Sequence, residues 1–168
     1  LQPMVRDALI PYLSRRFGTR LPGSSITLRF VGLGQSQIDQ TLEDHVALPA
    51  GAMTASQFEN GRVDFTFSLP EDTPQDRERL RRLKRQITEH LGEHIYADDG
   101  QTSLENRVVE LLQEKGHSLA VAEVATGGAL AAALLGAEAD PPVLAGAFAA
   151  FNLGIVVEAL GVLTLPIL

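Results

Sequence analysis

Charge is unevenly distributed along this chain, and the unevenness divides it. From Ala129 to Leu168 only Glu138, Asp140 and Glu158 are charged. Residues 1–100 hold 12 basic and 14 acidic side chains for a net of −2, whereas residues 101–168 hold 2 and 7 for a net of −5. A composition shift of that size marks a boundary near Asp98-Asp99-Gly100. The 168 residues suffice for one medium domain or two small ones with a real core. The chain opens on Leu1 rather than Met, which reads as a trimmed piece of something longer.

The same composition excludes several classes. The longest uncharged run, Pro141–Val157, sits at the bottom of the roughly 17–25 residues that cross a bilayer. It opens with two prolines, contains Gly146 and Gly154 and has no basic flank, so it reads as a buried α/β core and no membrane is expected. The amphipathic start, with Arg6 and Asp7, is no targeting segment. A net charge of −7 argues against a broad nucleic-acid surface. The absence of Cys removes disulfides, Cys-ligated zinc, iron–sulfur clusters and thiol nucleophiles, and is compatible with the reducing cytoplasm expected as the location.

In the first part, Met4–Phe17 reads as a helix with Val5, Leu9, Tyr12 and Leu13 on one face, kinked at Pro11 and stopped by Gly18. Ile26–Phe30 alternates with period two, placing Ile26, Leu28 and Phe30 inward. Gly32-Leu-Gly34 turns into a short helix, Gln35–Glu43, with Ile38 and Leu42 one turn apart. Asn60-Gly61, between Met53–Glu59 and Arg62–Leu69, is a hairpin signal because both turn positions need positive φ. Val63, Phe65, Phe67 and Leu69 share one side of the second arm. Thr73 and Pro74 open a long helix with Leu80, Leu83, Ile87 and Leu91 on one stripe, closed by Gly92. A short strand at Ile95-Tyr96 completes β-α-β-β-α-β, the order of a ferredoxin-like or KH-like α+β domain.

In the second part, Thr102-x-x-Glu105 is a capping box opening a helix that bears Leu104, Val108, Leu111 and Leu112, ended by Gly116. Ser118–Ala122 reads as a strand, Ala129–Leu135 as a helix, Val143–Phe151 as a second strand, and Ile155–Leu160 as a helix. This is the start of an α/β layered domain. Two parallel strands make a poor sheet, so part of that domain is expected to be missing, and a homodimer is the expected assembly.

Few motifs carry chemistry. His90-x-x-Glu93-His94 matches a zinc-protease pattern, but Gly92 should end the helix and put His94 on a strand, so no metal and no cofactor are expected. Gly32-x-Gly34 has Gln37 where a dinucleotide fingerprint needs its third glycine. No Gly-x-x-Gly loop joins two helices, as KH-type RNA binding would require. Arg77, Arg79, Arg81, Arg82, Lys84 and Arg85 lie among Asp76, Glu78 and Glu89; a solvated face is the first reading and a nucleic-acid contact the lesser one. Glu123-Val124-Ala125-Thr126-Gly127-Gly128 stands where a strand becomes a helix. Free amides there cradle a phosphate or oxyanion, or else the glycines simply permit a tight turn. Thr126 is the sole hydroxyl at that turn.

The stretch Leu119-Ala-Val-Ala-Glu123-Val-Ala-Thr126-Gly-Gly128 resembles the signature of the competence/damage-inducible CinA family, which reads Leu-Ala-Thr-Ala-Glu-Ser-Cys-Thr-Gly-Gly. Leu91 to Gly100 resembles the family's junction before that domain, Gly32-Leu-Gly34-Gln-Ser its middle-domain entry, and Pro3-Met4 through Pro11-Tyr12-Leu13 the helix leaving its amino-terminal domain. The resemblance implies three segments here: residues 1–24 as a linker helix from an absent amino-terminal domain linked to ADP-ribose pyrophosphatase activity, 25–99 as a KH-like middle domain, and 101–168 as part of a nicotinamide-mononucleotide amidase domain. It also implies a pyridine nucleotide as candidate ligand, held by Glu123, Thr126, Gly127 and Gly128. The family nucleophile, a Ser, falls on Val124, and its assisting Tyr and Lys fall, without gaps, on Phe151 and Val156. With those groups replaced, the resemblance implies a non-catalytic structural or dimerisation module. An active amidase using Thr126 and a weak nucleic-acid-binding module are the alternatives.

Overall fold

The computed structural model describes residues 4–18, 23–137 and 142–161. The chain divides into two compact units, Leu1–Gly100 and Gln101–Leu168, both of mixed helix and strand, so the class is α+β.

The first unit opens with a π-helical turn, Val5–Leu9, that runs into helix α1, Ile10–Phe17. A kinked α-helix was expected, and a change of helix type replaces the kink. Pro11 stands in the first turn of α1, where its missing N–H removes one α-helical bond and the wider π spacing absorbs the loss. Gly18, at φ 62, ends the helix by donating to the Ser14 carbonyl at 3.1 Å. The expected inward face is not buried: Val5, Leu9 and Tyr12 are exposed. Residues 19–22 of the expected linker lie outside the described residues.

Strand β1 (Ser24–Val31), helix α2 (Gln35–His45), strands β2 (Met53–Glu59) and β3 (Arg62–Leu69), helix α3 (Pro74–Leu91) and strand β4 (Ile95–Ala97) follow in the expected order. The sheet runs β2-β3-β1-β4 and is antiparallel at each pairing. Asn60 (φ 50) and Gly61 (φ 76) form the two-residue turn, which fixes Glu59 opposite Arg62 and so sets the register to Met53 opposite Ser68. That register puts Val63, Phe65, Phe67 and Leu69 on the face where Leu28 and Phe30 also point. Ile38 and Leu42 of α2 and Leu80, Leu83, Ile87 and Leu91 of α3 close over them. Thr73 caps α3 by accepting from the Asp76 amide at 3.1 Å, with Pro74 at the first position. Gly92 does not close the helix in a left-handed conformation; the chain continues into a 3-10 turn, Gly92–His94. His94 therefore precedes the strand it was expected to occupy, and its Nδ1 lies 3.3 Å from the Val31 carbonyl oxygen.

The second unit holds α4 (Leu104–Glu114), β5 (Leu119–Val124), α5 (Ala129–Leu135), β6 (Leu144–Ala150) and α6 (Leu153–Leu160). The cap of α4 is one residue later than the sequence suggested: Ser103 Oγ accepts from the Asn106 amide at 3.0 Å. The expected stripe holds at Val108 and Leu112, which pack against the core, and differs at Val109 and Leu111. Val109 is the fully buried residue of α4 and Leu111 is exposed, because Val109 packs with Leu134 and Val143 while Leu111 faces away. Strands β5 and β6 pair in parallel. No helix among the described residues is long and apolar enough to cross a membrane.

Gly23 generates a prediction. A Cβ there would lie 2.1 Å from the Glu71 carbonyl carbon and 2.4 Å from its Cα, both main-chain atoms that move only with the turn itself. Gly23→Ala is expected to cost about 2 kcal/mol or more. Gly100→Ala, which would meet open space, should stay within about 0.5 kcal/mol of the parent. Urea midpoints at constant m-value measure both.

Candidate functional site

Parallel pairing brings the carboxyl ends of β5 and β6 to one edge, the place where open α/β sheets take their ligands. Val124 pairs with Ala150 at that edge, so Phe151 is the next residue out. Helix α6 packs on β6 and β5 and carries Val156 on its buried side. Val124 is half-buried, and Phe151 is 90% exposed. The three positions to which the resemblance assigns a nucleophile and its assisting groups thus carry apolar side chains, Val124 and Phe151 at the edge and Val156 buried on α6.

Between β5 and α5 the main chain makes a sharp reversal. Ala125 has φ 69, Gly127 φ 65 and Gly128 φ 88. A Cβ on Gly127 would meet open space, and one on Gly128 would make an ordinary 3.8 Å contact with Ala149. The positive φ at both positions is the backbone conformation that glycine adopts at no steric cost, so the tight turn itself calls for them. Ala125 adopts the same left-handed region with a side chain attached, a strain that nothing in its residue type announces.

Glu123 is the centre of this turn. It is 5% exposed, and its carboxylate accepts three hydrogen bonds from the residues that follow. Thr126 Oγ1 and the Leu130 amide donate to Oε2 at 2.6 and 2.9 Å, and the Ala131 amide donates to Oε1 at 2.9 Å. The Ala129 amide in turn donates to the Thr126 carbonyl at 3.3 Å. A helix leaves its first amides without partners; here the chain's own carboxylate takes two of them. The Thr126 hydroxyl above all, then the Ala131 and Leu130 amides, holds Glu123 below its ordinary carboxylate range. Glu123, Thr126, Gly127 and Gly128 thus come together, with Glu123 as an internal acceptor.

The other sequence motifs resolve into local structure. His90 and His94 lie on different helical segments, and His90 stacks instead on His45. Among the described residues no three His, Asp or Glu side chains are grouped to hold a metal. The Gln37 side-chain oxygen accepts from the Gly34 amide at 3.0 Å, so Gln37 caps α2. Along α3, Arg77 pairs with Asp72 at 2.6 Å and Arg79 with Asp76 at 3.0 Å. Arg81, Arg82 and Arg85 gather around Glu78 at 3.3, 3.3 and 3.5 Å, and Lys84 pairs with Asp98.

Two expectations follow for the turn. Because the folded Glu123 lies below its ordinary value of 4.5, its bonds contribute fully above about that pH and are lost as pH falls through the folded value. The stability gap between the parent and Glu123→Gln should be widest near neutrality and narrow below pH 4.5, as followed by denaturation across pH. Ala125→Gly, usually destabilising, should here raise stability by about 0.5 kcal/mol by relieving the left-handed strain.

Comparison with known proteins agrees with the turn and its surroundings. Residues 101–165 match the CinA C-terminal domain. A protein of Oceanobacillus iheyensis named as competence-damage inducible is 30% identical over 158 residues, covering 94% of this chain and 38% of that protein. A CinA-like protein of Dictyoglomus turgidum is 29% identical over 95% of this chain and 38% of its own length. A competence-damage inducible relative from Caldicellulosiruptor saccharolyticus is 35% identical over 76% of this chain and 31% of its own length. The chain spans about two fifths of the length of the first two of these curated relatives. With its second unit matched almost end to end and relatives of one kind aligned across both units, the chain belongs to the competence/damage-inducible CinA family.

Proposed function

We propose that this chain is a non-catalytic CinA-like module, an amidase-type frame without its acyl-transfer groups, whose task is assembly as a homodimer. The observation that carries this reading is the apolar set Val124, Phe151 and Val156. Releasing ammonia from an amide needs a nucleophile, a base to activate it and an acid for the leaving nitrogen. Two valines and a phenylalanine supply none of these.

Thr126 does not replace them. Its hydroxyl donates to Glu123 at 2.6 Å, and a carboxylate held below its ordinary range is a poor proton acceptor for an alcohol. The assembly half of the reading draws on the surface of the second unit. Phe151, Leu153, Ile155, Leu130 and Leu135 are 50% to 90% exposed, and Ala147 and Ala149 of a parallel strand are exposed as well. Parallel strands normally lie covered on both faces. Residues 25–99 serve in this reading as the KH-like middle domain, in the cytoplasm. Nucleic-acid binding is disfavoured because each basic side chain from Arg77 to Arg85 already has a carboxylate partner.

Two measurements test the halves separately. Incubation with nicotinamide mononucleotide should release no ammonia above the blank; release that disappears in Thr126→Ala would restore the amidase. Sedimentation equilibrium should give a dimer, and Phe151→Glu with Leu153→Glu should weaken it at least about tenfold, or 1.4 kcal/mol. A monomer at every concentration would end the assembly reading.

A further inference from the structure

His45 is the last residue of α2 and His90 lies in the last turn of α3. The two helices pack side by side on the sheet of the first unit, and the two imidazoles face each other with ring centroids 4.7 Å apart and planes 19° from parallel. Both rings are exposed. Neither belongs to the site described above, and the zinc-protease pattern places neither opposite the other.

We propose that His45 and His90 form a two-histidine chelate for a divalent transition-metal ion. The spacing fits. With metal–nitrogen bonds of about 2.0–2.1 Å, a shared ion sits about 3.2 Å from each ring centroid. A centroid separation of 4.7 Å then subtends roughly 95° at the metal, between the cis angle of octahedral and the angle of tetrahedral coordination. The rings as they stand are nearly parallel, so chelation requires rotation about χ2, a broad torsion in exposed histidines that leaves the helices in place. The electrostatics fit too. Both imidazoles stand at helix carboxyl ends, where the macrodipoles converge in negative partial charge and favour a cation. Glu43, Asp44 and Glu89 flank the pair in sequence.

Imidazole donors select zinc, nickel or copper over calcium and magnesium, which seek oxygen ligands. An ion so held ties the end of α2 to the end of α3 and keeps open positions for water or a further ligand. Because the two rings are 45 residues apart in sequence, the chelate exists in the folded chain and not in the unfolded one, so the metal adds stability.

The test uses the 168-residue chain freed of metal by a chelator, with Zn2+ and Ni2+ as the probes and Mg2+ as the control. Calorimetric titration should give one ion per chain, and thermal unfolding should rise with Zn2+ and Ni2+ but not with Mg2+. His45→Gln and His90→Gln should each lower the affinity by roughly a hundredfold, since the second ligand of a chelate binds intramolecularly. His94→Gln and His117→Gln should leave uptake unchanged. No uptake by the parent chain would overturn the proposal. So would uptake that survives both His45→Gln and His90→Gln, in which case the rings only stack.

Discussion

A carboxylate withdrawn from water must find donors, and Glu123 finds all three of its recorded donors within eight residues of itself. That match governs the turn at the centre of the second unit. Two of the donors are amides that a helix cannot satisfy internally, so one side chain closes the start of α5 and anchors the end of β5 at once. To bring the amides over the carboxylate the chain must double back within four residues, which is why Ala125, Gly127 and Gly128 all take positive φ. The carboxylate also occupies two of the amides at the first turn of α5. The Leu130 and Ala131 amides already face a negative charge of the chain's own.

The first unit was legible in the sequence almost residue by residue, and the reason is physical. Its signals are local: a two-residue turn with obligatory positive φ at Asn60-Gly61, a threonine cap followed by proline at Thr73-Pro74, and period-two alternation from Val63 to Leu69. Each acts through neighbours in the chain. What escaped was decided by tertiary packing or by backbone bonding alone. Nothing in the residues from Met4 to Phe17 says that their apolar side stays exposed. Val109 and Leu111 differ in burial only because Leu134 and Val143 sit on one side of α4. Gly92 does stand where α3 stops, but at φ −57 rather than in the left-handed region, so a 3-10 turn follows. In the candidate site the hexapeptide was visible, but Glu123's role depended on knowing where the Leu130 and Ala131 amides point.

The two units handle apolar surface differently. The four-stranded sheet covers one face with α2 and α3 and keeps the other polar. Thr27 and Thr66 exchange a hydrogen bond at 3.0 Å across β1 and β3, and Arg29 pairs with Asp64 at 3.1 Å while lying 5.4 Å from the centre of the Tyr96 ring. Cross-strand pairs of this kind let an antiparallel sheet face water. The β5–β6 pair has no such face. Its strands are Ala, Val, Leu, Phe and Gly apart from Glu123, and the one charge is turned inward to the helix. A parallel pair of this composition gains stability when a further layer covers it, the physical argument for an assembly role.

Geometry and chemistry at the turn rest on different residues. The reversal is held by Glu123, Thr126, Gly127 and Gly128 through main-chain conformation and capping bonds. Val124 and Phe151 lie at the sheet edge beside it, and none of the capping bonds that hold the turn runs through their side chains. A nucleophile or base at those two positions would not be needed for the strand to turn into the helix, since the donors and the acceptor of the cap are all elsewhere. A chain can therefore retain this frame, and the family likeness over residues 101–165, while its edge becomes wholly apolar. In the reading proposed above, such an edge serves as contact area, since hydrophobic burial is proportional to area rather than to any particular functional group.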